Sequence, residues 1–212
     1  MGSRSVDWFD SQFERQIQAQ EFRLNPFEER ALEHLSGTVL ELGCGLGNLA
    51  LAAARRGHRV VAVDASRAAV ERVAAAAARE DLALTALARD LGTYDPRGRY
   101  TTVVAIGLVM FFPRPRALAL LRAIQERVEP GGTAIVNVLA EGTTFLDMFE
   151  PGGFTLFARD ELEQSFAGWT LLSSTHESFP APGDTQKEFA TVIARKPGTM
   201  PARGAPPRAE PG

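Results

Sequence analysis

From residue 38 to residue 140 the chain alternates short, almost wholly apolar runs with helical stretches, and this alternation limits the possible folds more than any other feature. TVLELG, RVVAVD, the stretch within TTVVAIGLVM, and TAIVNVLA are rich in Val, Ile, Leu and Ala, and LALTALARD reads as a further strand. A strand with one wet face would alternate polar and apolar residues; continuous apolar runs belong to strands covered on both faces. Between them, NLALAAARR is a helix ended by Gly57. RAAVERVAAAAARE is a helix capped by Ser66. Pro113 to Val128 is a helix closed by Glu-Pro-Gly-Gly. The pattern predicts a parallel sheet with helices on both sides.

The flanking segments read differently. Residues 1–37 predict a helical cap. Trp8, Phe9, Phe13 and Ile17 form one apolar stripe. Asn25-Pro26-Phe27-Glu28-Glu29 starts a second helix with a cap, a proline at the first position and two carboxylates near the positive dipole end. That helix is expected to run to about Leu35 and stop at Ser36-Gly37. After Ala140 the rhythm breaks into the aromatic segment EGTTFLDMFEPGGFTLF, then a helix from Arg159 or Asp160. WTLLSSTHESF and KEFATVIAR, joined by the turn-like PAPGDTQ, predict an antiparallel pair at the sheet edge. Residues 38–196 thus form the main domain. Residues 197–212 carry five Pro and three Gly and predict a disordered tail.

Composition excludes several classes. A net charge of −3 and scattered basic residues argue against nucleic acid held by bulk charge and against an anionic membrane surface. No run of 18 apolar residues predicts a membrane span, and the first residues lack the apolar core of a secretory signal, so a cytoplasmic protein is expected. The single cysteine, Cys44, excludes an internal disulfide and a cysteine-rich zinc site, and no metal ligands are assigned.

The chemistry concentrates in Glu41-Leu42-Gly43-Cys44-Gly45-Leu46-Gly47-Asn48, between a predicted strand and a helix. Glycines allow positive φ and close approach of backbone N–H groups to a ligand, and the helix presents its N-terminus there. A dinucleotide fingerprint needs glycine where Asn48 stands, so the diphosphate geometry is not matched. The Glu41 carboxylate would repel a diphosphate and attract an ammonium group.

Together with Val60-Val61-Ala62-Val63-Asp64, Ala88-Arg89-Asp90-Leu91 and Glu129-Pro130-Gly131-Gly132, this stretch resembles the class I S-adenosylmethionine-dependent methyltransferases over residues 37 to 196. The resemblance implies a doubly wound, Rossmann-like α/β fold with a seven-stranded sheet, mostly parallel with one antiparallel edge hairpin strand. It implies S-adenosyl-L-methionine as cofactor. Glu41, Gly43, Cys44, Gly45 and Gly47 would border its methionine part, and Asp64 would accept the ribose hydroxyls. Ala65, Asp90, Leu91 and Ile106 would surround the adenosine.

Leu108-Val109-Met110-Phe111-Phe112, Phe154, Phe157, Gly168-Trp169 and Phe189-Ala190-Thr191 with Ala194-Arg195-Lys196 further resemble the tellurite-resistance methyltransferases. That likeness implies methyl transfer to a small soft nucleophile: a thiol, or a selenium or tellurium oxyanion. The basic segment which that family carries before its last strand is replaced here by Glu177 to Asp184. An O- or N-methyltransferase of a small metabolite and a non-catalytic cofactor-binding module are the alternatives. Candidates for the acceptor pocket are Phe9, Phe27, Met110, Phe111, Phe145, Phe154 and His176, with Trp8, Phe13 and Met148 as further lid residues. His176 has a plain edge-strand reading beside the functional one, Asn25 reads as a helix cap, and no catalytic base is assigned. The partner expected is a small molecule; the sequence sets no oligomeric state.

Overall fold

The computed structural model describes residues 3–198. The predicted tail therefore lies outside the described residues from position 199 on. Two helices lead, α1 (Ser3–Gln18) and α2 (Pro26–Leu32). There follow β1 (Thr38–Leu42), α3 (Asn48–Arg55), β2 (Arg59–Asp64), α4 (Arg67–Arg79), β3 (Leu84–Ala88) and β4 (Tyr100–Ile106). A short 3₁₀ turn at Val109–Phe111 leads into α5 (Arg114–Arg127) and β5 (Val128–Leu139). The described residues end with α6 (Glu161–Ser165), β6 (Thr170–Ala181) and β7 (Thr185–Arg195).

The seven strands lie in the order β3-β2-β1-β4-β5-β7-β6. The first five are mutually parallel, and β7 runs antiparallel to both β5 and β6. The antiparallel strand is thus the penultimate one, and β6 forms the edge. Side-chain alternation sorts the core into two layers. Leu40, Leu42, Val103, Ala105, Val136 and Val138 pack with α5 and α6 on one face. Val39, Val60, Ala62, Val104, Ile135 and Ile193 pack with α2 and α3 on the other. Each fully buried aliphatic side chain contributes about 1.5–3 kcal/mol, so both faces hold the sheet.

Local chemistry sets the ends of elements. The Asn25 side chain accepts from the N–H groups of Phe27 (2.9 Å) and Glu28 (3.0 Å), and the Glu28 carboxylate accepts from Asn25 N–H (2.8 Å). This reciprocal box satisfies donors that a helix start otherwise leaves bare. The helix ends at Leu32, earlier than the spacing suggests, because His34 N–H turns back to Ala31 O in a tighter 3₁₀ bond. Ser66 caps α4 by accepting from Ala69 N–H at 3.3 Å. Glu129 to Gly132 form an irregularity inside β5 rather than a separate turn, with Gly131 N–H bonded to Lys196 O. The Lys196 ammonium donates to the carbonyls of Gln125 (2.7 Å) and Val128 (2.9 Å), where a cation suits the negative end of α5.

Candidate active site

The carboxyl ends of β1, β2 and β4 meet at the point where the strand order reverses, which is where open α/β sheets hold ligands. A cavity of about 450 Å³ opens there, within the size range of small-molecule sites. The turn between β1 and α3 forms its floor. Gly45 (φ +50°) and Gly47 (φ +72°) adopt left-handed conformations that disfavour other residues. A Cβ on Gly45 would stand 3.1 Å from the Phe13 ring, so α1 lies directly over the turn. A Cβ on Gly47 would overlap Val73 of α4.

Two acids flank this floor. Asp64, the last residue of β2, is 8% exposed. Its carboxylate accepts from Gly45 N–H (2.8 Å) and Ser66 N–H (2.9 Å). Burial pushes its pKa up against the lowering effect of those backbone bonds. Glu41 shares the face of Val39 and is 5% exposed, and its Oε2 has no hydrogen-bond partner. Burial, then the charges of Glu28 and Asp64, hold the Glu41 carboxyl well above the usual range. Glu28, at the third position of α2, is likewise raised by burial. An anionic diphosphate does not suit three neighbouring acids. An ammonium suits them, because it would give the orphaned Glu41 oxygen a donor.

Of the residues expected at the cofactor, Glu41, Gly43, Cys44, Gly45, Asp64, Leu91 and Ile106 line this one cavity. Gly47 stands behind it, starting α3, and Ala65 is half-buried outside the lining. Asp90 is exposed and also outside; its carboxylate accepts from Gly92 N–H at 2.9 Å, shaping its own loop. Cys44 is buried in the turn, where burial raises its thiol pKa and so favours the neutral thiol.

Of the acceptor candidates, Phe9, Phe27, Met110 and Phe111 line the cavity, as do Trp8, Phe13 and Met148. Three do not. Phe154 stacks on Phe149 at 4.5 Å. Phe145 is buried beneath the Lys187 ammonium, 4.6 Å from its ring centroid. His176 is exposed on the edge strand opposite Ala190, because it points to the face away from Thr175 and Glu177.

Sequence reasoning missed Glu28, Asn137, Lys187 and Phe189, all in the cavity wall. In the sequence, Glu28 reads only as a helix-start carboxylate. Asn137 did carry a signal, as the one polar side chain between Ile135 and Leu139 in an apolar run.

Residues 39–132 match the family model described as a methyltransferase domain. The chain is 35% identical over 166 residues to Hemagglutinin 1 of Eikenella corrodens, spanning 76% of this chain and 55% of that protein. It is 26% identical over 164 residues to the probable S-adenosyl-L-methionine-dependent methyltransferase TehB of Haemophilus influenzae, spanning 74% of this chain and 57% of that one. The chain thus spans somewhat more than half the length of these curated relatives. Among solved structures, TehB from Haemophilus influenzae superposes with a TM-score of 0.70 at 22% identity, over 82% of this chain and 62% of that one. The Burkholderia thailandensis 1,6-didemethyltoxoflavin-N1-methyltransferase, solved with 1,6-didemethyltoxoflavin and S-adenosylhomocysteine, superposes at 0.66 and 20% identity, over 91% and 87%. Residues 39–132 thus match a methyltransferase domain, and the described chain shares its fold with these methyltransferase structures and is similar in sequence to TehB.

Proposed function

We propose that this protein transfers the methyl group of S-adenosylmethionine to a small-molecule acceptor. One observation carries the reading: the buried carboxyls of Glu41 and Asp64 face a single cavity on either side of a left-handed glycine turn. Glu41 would hold the ammonium of the methionine part. Asp64 would accept the ribose hydroxyls, exchanging its bond from Gly45 N–H for them. Leu91 and Ile106 would flank the adenosine. A bound sulfonium would supply an electrophilic methyl group, keeping the carbon–sulfur electron pair while the acceptor provides the pair for the new bond; an acceptor that carries a proton would lose it to solvent at the cavity mouth. The protein's own part is alignment and exclusion of water. Phe9, Phe111 and Met110 would form the dry wall for that step.

For the acceptor, the first reading is a small soft nucleophile, a thiol or a selenium or tellurium oxyanion. It is supported by the likeness to TehB and by a wall of aromatic rings and methionine sulfur, since a thiolate needs no strong base. Methyl transfer to oxygen or nitrogen is the second reading, favoured by the polar groups Asn137 and Lys187 in the same wall.

Calorimetric titration of the full chain with S-adenosylhomocysteine and, separately, NADH tests the proposal. We expect the first to bind and Asp64→Ala and Gly45→Val to weaken it at least tenfold. Wild-type affinity in both variants, or binding of NADH alone, would overturn the site. Product release with no acceptor from a panel of thiols, selenite, tellurite, amines and phenols would leave a binding module instead.

A further inference from the structure

Beyond the cofactor floor, the cavity continues along β5 and β7, where Asn137 and Lys187, the polar groups behind the second acceptor reading, stand in its wall. Asn137 is 1% exposed, in register with Ile106 of β4, so it stands beside the strand end where the reacting centre would lie. Its Nδ2 donates to Thr191 Oγ1 at 2.8 Å across the β5–β7 pair. That bond fixes the amide and leaves Oδ1 without a donor in the cavity wall. A buried acceptor left bare costs about 1–3 kcal/mol, a cost that a bound donor would remove.

Alternation along β7 puts Thr191, Phe189 and Lys187 on one face. Lys187 and Thr191 are four residues apart on this strand, roughly 13 Å along the backbone. Phe189 lies between them with Phe27 against it, ring centroids 4.9 Å apart. Among the described residues the Lys187 ammonium makes no ion pair; it rests on the Phe145 ring. Burial lowers its pKa, as expected for a cation with no counter-charge. The neighbouring cation Arg30 is already matched by Glu177 through two hydrogen bonds of 2.8 and 2.9 Å. Arg23 also lines the cavity, but at the opposite end, where its carbonyl accepts from Asn48 beside the glycine turn.

We infer that Asn137, Phe189 and Lys187 form an acceptor subsite for a small organic anion. Its nucleophile carries an N–H or O–H that donates to Asn137 Oδ1, its apolar body packs on Phe189 and Phe27, and its anionic group pairs with Lys187. The inference rests on the methyltransferase reading and selects the second of the two acceptor readings above, transfer to oxygen or nitrogen, on a protic organic acid.

The test is calorimetric titration of the full chain, saturated with S-adenosylhomocysteine, using 4-aminobenzoate, 4-hydroxybenzoate, their methyl esters, benzoate and selenite. Both substituted acids are expected to bind at least tenfold tighter than their esters, and benzoate, lacking the donor, several-fold weaker than either acid. Lys187→Met should erase the acid–ester gap with S-adenosylhomocysteine affinity unchanged. Asn137→Ala should erase the advantage of the substituted acids over benzoate. Equal binding of acids and esters, no binding of either, a gap that survives Lys187→Met, or selenite binding in their place would overturn the subsite while leaving cofactor binding intact. Failure of the wild type to bind S-adenosylhomocysteine would remove the underlying reading and this one with it. If Asn137→Ala does not fold, the wild-type comparison with benzoate and the Lys187→Met comparison still decide.

Discussion

Glu41 and Gly47 show what single residues contribute to the site. The raised pKa of Glu41 has burial as its first cause, so the ligand-free carboxyl holds a proton above its ordinary range near 4.5. An ammonium ligand favours the ionised form. Binding should then release a proton, and affinity should rise with pH until the free-site pKa is passed. Titration with S-adenosylhomocysteine in buffers of different ionisation enthalpy measures that release, and Glu41→Gln should abolish most of it. Gly47→Ala should cost about 2–4 kcal/mol in chemical denaturation, combining a left-handed backbone with overlap on Val73. Gly57→Ala (φ +89°), with open space around it, should cost about 1 kcal/mol. The acidic, glycine-lined end of the cavity is legible in the sequence because the glycine turn and the strand-terminal acid sit at the ends of adjoining strands. The end lined by β5 and β7 is not. Lys187 and Asn137 meet the cavity only through the β5–β7 pairing, which no local spacing encodes. Asp90 lies outside the cavity lining, and its carboxylate accepts from Gly92 N–H.

At the scale of elements, the strand–helix alternation from β1 to β5 followed from composition and capping residues alone. Apolar runs buried on both faces admit few other pairings. The order of the last two strands was less open to reading, since a hairpin can dock by either strand; β7 pairs with β5 because it is the more apolar, with Ala190 to Ala194 all buried. The helix α2 deserves a direct test, as it carries Phe27 and Glu28 to the cavity. Asn25→Ala removes the reciprocal cap and should lower stability by about 1 kcal/mol. Arg30 ties the same helix to Glu177 and Thr175 of β6. A double-mutant cycle on Arg30 and Glu177 should give about 1 kcal/mol or less, given their partial exposure to solvent.

For the whole molecule, Glu28, Glu41 and Asp64 together set a pH dependence. All three are raised in the folded state, so between about pH 4.5 and their raised values these groups hold more protons in the native chain than in the unfolded one. Stability of the ligand-free protein should therefore fall as pH rises from the ordinary carboxylate range through the raised values. Denaturation midpoints measured across that range should show the fall, and saturating S-adenosylhomocysteine should flatten it. No described helix is long and apolar enough to cross a membrane. The placement of β7 between β5 and β6 also bears on how the protein is made. During vectorial synthesis β6 leaves the ribosome before β7, its one neighbour in the described sheet, and Lys187 and Phe189 arrive only with β7. The nascent chain can lay down its glycine turn early, but the β7 side of the cavity wall is completed only after every other described strand has been made.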